Sequence, residues 1–500
     1  MPSASRRRFL MGLAAAPLAL SMSCSAHGRT TAADARRRLP IPPLADSTID
    51  SSGTRHFTLR AAAATTEILA GKSTQTWGYN GSILGPTLRA RRGETIAIAF
   101  ENGLPEPTTV HWHGMHVPAQ CDGGPHQTIA PGGRWNPSWT VRQPAATLWY
   151  HPHPHGQTEK HIYRGLAGLF IVDEVDPTPA LPHDYGVDDI PLLIQDRRFT
   201  VSGAFDESDS TDVGLLGDTI VTNGVAGAYL PVRTDRVRLR ILNGSGGRLY
   251  NLGFGDDREF RVIGSDGGLL AAPVAVRRIH LSPGERVEVI VDMQAGNPVT
   301  LRAFPFENHA GLKDSEAAEF GVDDTFDILE LRPEGALRST PDLPEALATL
   351  PTPVPSDVAA ERSFDLQWFM INGNRMDMNR IDFCPTVDTT EIWTVTNVDN
   401  WPHNFHVHDA QFRILDIDGS PPPPELAGYK DTAYTPPGQR IRIAVQFTEY
   451  TDPTYPYMFH CHLALHEDQG MMGQFLVLAP NQEPAPMPMD MSGHAMRRHP

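Results

Sequence analysis

Glu94-Thr95-Ile96-Ala97-Ile98-Ala99-Phe100-Glu101-Asn102 alternates apolar and polar side chains and ends in Asn. The phrase returns as Arg236-Val237-Arg238-Leu239-Arg240-Ile241-Leu242-Asn243, and again as Glu391-Ile392-Trp393-Thr394-Val395-Thr396-Asn397. Successive side chains of a strand point to opposite faces, so each phrase predicts a half-buried strand running into a turn. Each is followed by Pro-Gly and then Arg: Pro131-Gly132-Gly133-Arg134, Pro283-Gly284-Glu285-Arg286 and Pro437-Gly438-Gln439-Arg440. The second and third lead into further alternating runs, Val287–Asp292 and Ile441–Phe447. Short strands between turn signals predict β-sandwiches, and a threefold repeat predicts three of them. The expected class is all-β, with domains at 48–178, 186–335 and 360–480. Residues 29–47 and 336–359 read as linkers, and 481–500 as a tail.

The bulk properties agree. Five hundred residues exceed one ordinary core. Hydrophobic residues at 40% and charged residues at 20% suit a soluble globular protein, and 43 Gly with 45 Pro supply many turns. The net charge is −17, and −20 without the three arginines of residues 1–23. So acidic a surface argues against nucleic acid and is compatible with cationic substrates.

Ser5-Arg6-Arg7-Arg8-Phe9-Leu10 and the apolar run Leu13–Leu20 read as a twin-arginine export segment, residues 1–28, with an ordinary secretory signal as the alternative. The run is too short for a membrane span, and no other stretch is long and apolar enough. Export places the protein in the periplasm, on the cell surface as a lipoprotein, or outside. Cys24 stands where a lipid anchor would attach, although Ser21-Met22-Ser23 matches the usual preceding residues poorly. Cys121 and Cys384 are a disulfide candidate in an oxidising compartment, or two buried thiols.

The repeat also locates the chemistry. His111 and His113 stand nine and eleven residues after Asn102, and His406 and His408 stand at the same offsets from Asn397. The middle repeat has Leu252 and Phe254 there, so it reads as a spacer. Ten of 21 histidines fall in four clusters: His111-Trp112-His113-Gly114, His151-Pro152-His153, His403-Asn404-Phe405-His406-Val407-His408, and His460-Cys461-His462 with His466. One His-x-His pair is a weak signal, because a plain surface strand produces it. Four pairs at repeat-equivalent places are not a surface pattern.

Strand parity sorts them. The pairs 111/113, 151/153, 406/408 and 460/462 each share a face, giving eight imidazoles. Cys461 lies inside a pair and faces the other way. His403, an odd step from His406, goes with Cys461, His466 and Met471. A thiolate, two imidazoles and a weak thioether make a blue-copper electron-transfer site, and eight neutral imidazoles suit three further copper ions.

With those motifs in view, the chain resembles the three-domain bacterial multicopper oxidases over roughly residues 75–480. Val117–Pro125, Gln143–His153, Gly165–Ile171 and Ile371–Asn379 are similar to cuprous oxidases, bilirubin oxidases and laccase-like members. The resemblance implies cupredoxin-like Greek-key sandwiches, four copper ions and four-electron reduction of O2 to water. Type 1 copper would take His403, Cys461, His466 and Met471, and type 2 would take His111 and His406. The type 3 pair would take His113, His151 and His462, and His153, His408 and His460. Asp122, beside type 2, and Glu467, after a ligand, would be the catalytic carboxylates. Either could equally hold a ligand imidazole in place.

The tail, with Met487, Met489, Met491, Met496, His494 and His499, suits Cu(I), or is a disordered tail of biased composition. Asp399, Met376 and Met378 are candidate substrate-copper residues. Yet 335–366 lacks the Met-rich insert of well-known cuprous oxidases, and Trp401 instead resembles bilirubin oxidases. The expected reductant is Cu(I), in copper detoxification with phenolic side activity. The alternatives are phenols or pyrroles, and an exported scaffold without enzymatic activity. A monomer is expected.

Overall fold

The computed structural model of the chain describes residues 36–175, 181–208, 210–351 and 357–486. The expected export segment, Cys24, and the tail's Met and His residues lie outside the described residues. Six large sheets stack in pairs, one pair per sequence repeat. In each pair one sheet is built on two parallel strands. These are Arg55–Thr66 with Thr95–Gly103, Asp189–Arg197 with Arg236–Asn243, and Ala360–Gln367 with Thr389–Asn397. The chain is all-β, as its alternation predicts.

The three closing asparagines explain the repeat physically. All are fully buried. Asn102 Nδ2 donates to Ile129 O and Glu106 O, Asn243 Nδ2 to Leu281 O and Arg248 O, and Asn397 Nδ2 to Thr435 O and Trp401 O, at 2.7–3.0 Å. Their Oδ1 atoms accept from Leu104, Ser245 and Asp399 N–H groups. An amide carries both donors and acceptor, so one side chain satisfies the strand end. The Asn carbonyl accepts from the Pro-Gly glycine in every repeat, Gly132, Gly284 and Gly438, at 2.7–2.9 Å. Those glycines have φ of +74°, +86° and +76°, the left-handed region a Pro-Gly turn requires.

Two expected linkers are packed instead. Arg37–Arg38 pairs in parallel with Ala228–Thr234, and Leu39 is buried in the core of the second sandwich. The strand Phe326–Arg338 runs past the expected boundary, and Leu347 sits in an apolar cluster with Leu181, Ile263 and Ile290. Both segments carry apolar side chains that find a core, which composition alone hides. Cys121 and Cys384 are free thiols, so the disulfide does not form. Among the described residues no helix is long and apolar enough to cross a membrane.

Candidate metal centre

The strand His403–Val407 pairs with Thr432–Thr435 and with Tyr457–His460, setting His406 opposite His460. The strand ends at His460, so Cys461 and His462 stand on the turn beyond it. Cys461 N donates to Met471 O (3.1 Å) and Met471 N to His466 O (2.9 Å), which folds the loop back on itself. Cys461 Sγ then lies 3.5 Å from His466 Nδ1 and 3.7 Å from His403 Nδ1, and these nitrogens are 3.1 Å apart. The outer nitrogens are engaged elsewhere. His466 Nε2 donates to Asp212 O (2.9 Å), and His403 Nε2 faces Asp399 Oδ2 at 3.4 Å. Both Nδ1 lone pairs therefore face the sulfur. The side chains of His403, Cys461, His466 and Met471 are all buried. Burial pushes the Cys461 thiol up to about 12. Such a thiol ionises at neutral pH only beside a cation.

The other eight imidazoles form a cage between the first and third sandwiches. His111 stacks on His408 and His113 on His406, each with ring centres 3.8 Å apart. His153, His408 and His460 converge through Nε2, with His460 Nε2 3.1 and 3.2 Å from the other two. His151 Nε2 faces His113 Nδ1 at 3.4 Å. Backbone oxygens hold the far sides: His111 Nδ1 donates to Asp122 O and His406 Nδ1 to Asp431 O. That leaves His111 Nε2 and His406 Nε2 buried and without partners, as are both nitrogens of His462. The His462 ring lies 4.8 Å from that of His113 and 5.2 Å from that of His151. Burial and mutual repulsion disfavour protonation of seven of them: His462 falls to about 3, His408 to about 4, and His113, His151, His153, His406 and His460 fall well below the ordinary range. Orphaned buried nitrogens are costly. Neutral, inward-facing imidazoles beside a thiol are a donor set that fits copper.

Groups whose ligand atoms lie within 4.8 Å of one another are His403/Cys461/His466, His153/His408/His460, His111/His406/His408, His111/His113/His151 and His113/His406/Asp431. Among the described residues Asp399 is in none of them. Asp399 instead accepts from the Trp368 backbone N–H and faces His403, and Met376 N donates to Gly470 O. His155 is exposed.

Both carboxylates meet cage imidazoles. Asp122 Oδ2 accepts from His408 Nδ1 at 2.8 Å. Burial opposes its charge, but His408 and His111 outweigh burial and hold the carboxyl well below the usual range. Glu467 Oε1 accepts from Thr158 Oγ1 (2.5 Å) and lies 3.2 Å from His153 Nδ1, while Oε2 is 3.5 Å from His460 Nδ1. Burial, with Asp468 next to it, pushes Glu467 well above the usual range. Its surroundings therefore favour the neutral form beside the cage.

Sequence reasoning missed Asp431, Asn404 and Arg286. Asp431 and Asn404 carry no spacing signal. Arg286 belongs to the Pro-Gly-x-Arg phrase, read there as a turn marker only.

The multicopper oxidase family models match residues 60–176, 202–310 and 348–481. The multicopper oxidase mco of Staphylococcus haemolyticus is 36% identical over 447 residues, covering 88% of this chain and 93% of that protein. The cell division protein FtsP of Salmonella typhimurium is 36% identical over 485 residues, covering 95% and 99%. The crystal structure of a laccase from Pediococcus acidilactici superposes with a TM-score of 0.80 at 34% identity, covering 89% and 94%. With three matching domains and a relative of this identity aligned over nearly its whole length, the chain belongs to the multicopper oxidase family and is an oxidase of the cupredoxin fold.

Proposed function

We propose that the chain holds four copper ions and oxidises Cu(I), with phenols as secondary reductants, while reducing O2 to water. His403, Cys461, His466 and Met471 hold type 1 copper, and His111 and His406 hold type 2. The type 3 ions take His113, His151 and His462, and His153, His408 and His460. Copper supplies one-electron transfer at the first site and O2 reduction in the cage. One observation carries this reading: Cys461 Sγ faces two imidazole nitrogens, while its chain neighbours His460 and His462 turn their rings into the cage. One thiolate ligand thus joins both centres by a few covalent bonds. Glu467 stores the proton that O–O cleavage consumes, and Asp122 holds His408 and His111 in the tautomers that face inward.

Cu(I) as reductant is supported by the acidic surface charge, by the Asp399 carboxylate at the outer edge of His403, and by the Met- and His-rich tail. Aromatic reductants are favoured by one observation: Trp368, 53% exposed, is held by Asp399 beside the same His403. The chain acts as an exported monomer, by the twin-arginine route, with Cys24 as its lipid anchor if cleavage exposes it. O2 uptake with Cu(I) and with a phenol separates the reductants, for the full chain and for a truncation after Ala485. Selective loss of Cu(I) turnover on truncation supports tail-assisted capture of Cu(I). Phenol turnover with no Cu(I) turnover in the full chain overturns Cu(I) as substrate.

A further inference from the structure

The second sandwich adds no residue to the converging groups of the centre among the described residues. Its Pro-Gly turn nevertheless reaches both of its neighbours. Arg286 donates through both terminal nitrogens to Asp431, 2.7 Å to Oδ1 and 2.6 Å to Oδ2, and both side chains are fully buried. Asp431 Oδ1 in turn accepts from His113 Nε2 at 2.9 Å. Ser282 Oγ and Pro283 O each accept from Asn404 Nδ2 at 2.9 Å. Asn404 Oδ1 accepts the His462 N–H at 2.5 Å and lies 3.6 Å from Cys461 Sγ. Between these anchors stands Gly284. A Cβ there would come within 3.0 Å of His462 Cγ and 3.1 Å of its Nδ1.

We propose that this turn, Ser282–Arg286, is a positioning device by which the copper-free second sandwich orients ligands held by the other two. The chemistry is specific. The guanidinium fork donates one hydrogen bond to each Asp431 oxygen and fixes the group in plane, so that Oδ1 is presented to His113 as an acceptor. His113 must therefore carry its proton on Nε2, which leaves the Nδ1 lone pair facing His151. The Asn404 contact likewise fixes the peptide between Cys461 and His462. The repeat sharpens the point. Arg134, the equivalent residue of the first sandwich, is 74% exposed and pairs with Glu101, and Arg440 of the third is also exposed. The buried one, Arg286, spans two sandwiches.

The inference rests on the copper-cage reading above, and the test separates the two. Arg286→Lys keeps the buried charge and removes the fork, and Arg286→Gln removes both. The full-length proteins are loaded with copper, and bound copper and blue absorption are measured. Copper-free, 15N-histidine-labelled protein reports the tautomer of His113, its signal identified by loss in His113→Gln. Arg286→Lys should keep the blue absorption, bind cage copper roughly 10- to 100-fold more weakly, and turn the single His113 tautomer into a mixture. A lower melting temperature with unchanged copper content and an unchanged tautomer overturns the proposal. A parent protein that binds the blue copper alone overturns the cage reading itself. Should Arg286→Gln fail to fold, Arg286→Lys carries the test.

Discussion

His408 Nδ1 donates to Asp122 Oδ2 at 2.8 Å across the boundary between the third and first sandwiches. The backbone oxygen of Asp122 takes His111 Nδ1 at 2.9 Å, so one residue orients an imidazole from each side. The two rings it holds are the pair stacked at 3.8 Å. Closing the cage and joining the sandwiches are therefore one structural event.

Asp122→Ala should separate these consequences from the blue site. His408 Nδ1 would lose its acceptor in a dry interior, and the ring would lose its fixed tautomer. Cage copper should bind roughly 10- to 100-fold more weakly, while blue absorption per chain persists. Copper analysis beside the absorption spectrum checks this, and full copper stoichiometry in the variant would refute the role.

Cys461→Ser should abolish the intense blue absorption, because a hydroxyl cannot replace the thiolate as a soft ligand. The eight imidazoles do not depend on the sulfur, so cage copper should remain. Substrate oxidation should fall to background. A variant that stays blue would contradict the assignment of Cys461.

Glu467→Gln tests the proton source. The amide keeps the shape and the acceptor for Thr158 Oγ1 but holds no transferable proton. O2 reduction should slow by roughly 10²- to 10⁴-fold, with the blue absorption intact. The loss should deepen towards alkaline pH, where bulk protons are scarce and burial with Asp468 favours the protonated form of Glu467. Equal turnover at pH 8 in the two proteins would remove Glu467 from the reaction.

The fold was legible because the strand-end Asn and the Pro-Gly turn recur, and the structure shows why they must recur together: the Asn side chain and carbonyl satisfy that turn in each sandwich. The division of imidazoles was legible from parity, although Cys461 and His462 sit beyond the strand. What stayed hidden lies between sandwiches. Asp431 is one acid among 59 until folding sets Arg286 against it. Leu39 and Leu347 look like linker residues because their cores are made by distant strands. Asp399 fits the expected pattern by position, but its contacts with the Trp368 backbone N–H and the outer edge of His403 appear only in the fold.

Glu159 gives a pH signature of the domain interface. It lies on the short helix Thr158–Tyr163, which packs against the helix Ala464–Asp468 of the third sandwich, and its Oε1 accepts from Leu215 N at 2.7 Å. Burial raises its carboxyl from 4.5 to about 7. A carboxyl raised on folding binds its proton more tightly in the folded state. Its contribution to stability is complete below pH 4.5 and is lost as pH rises through 7. The loss amounts to at most about 3 kcal/mol. Glu159→Gln keeps an acceptor for Leu215 N and cannot ionise. Urea midpoints measured between pH 5 and 8 should fall with pH in the parent and fall less in the variant, so the variant gains its advantage at pH 8. Parallel curves for the two proteins would show that Glu159 does not titrate with folding.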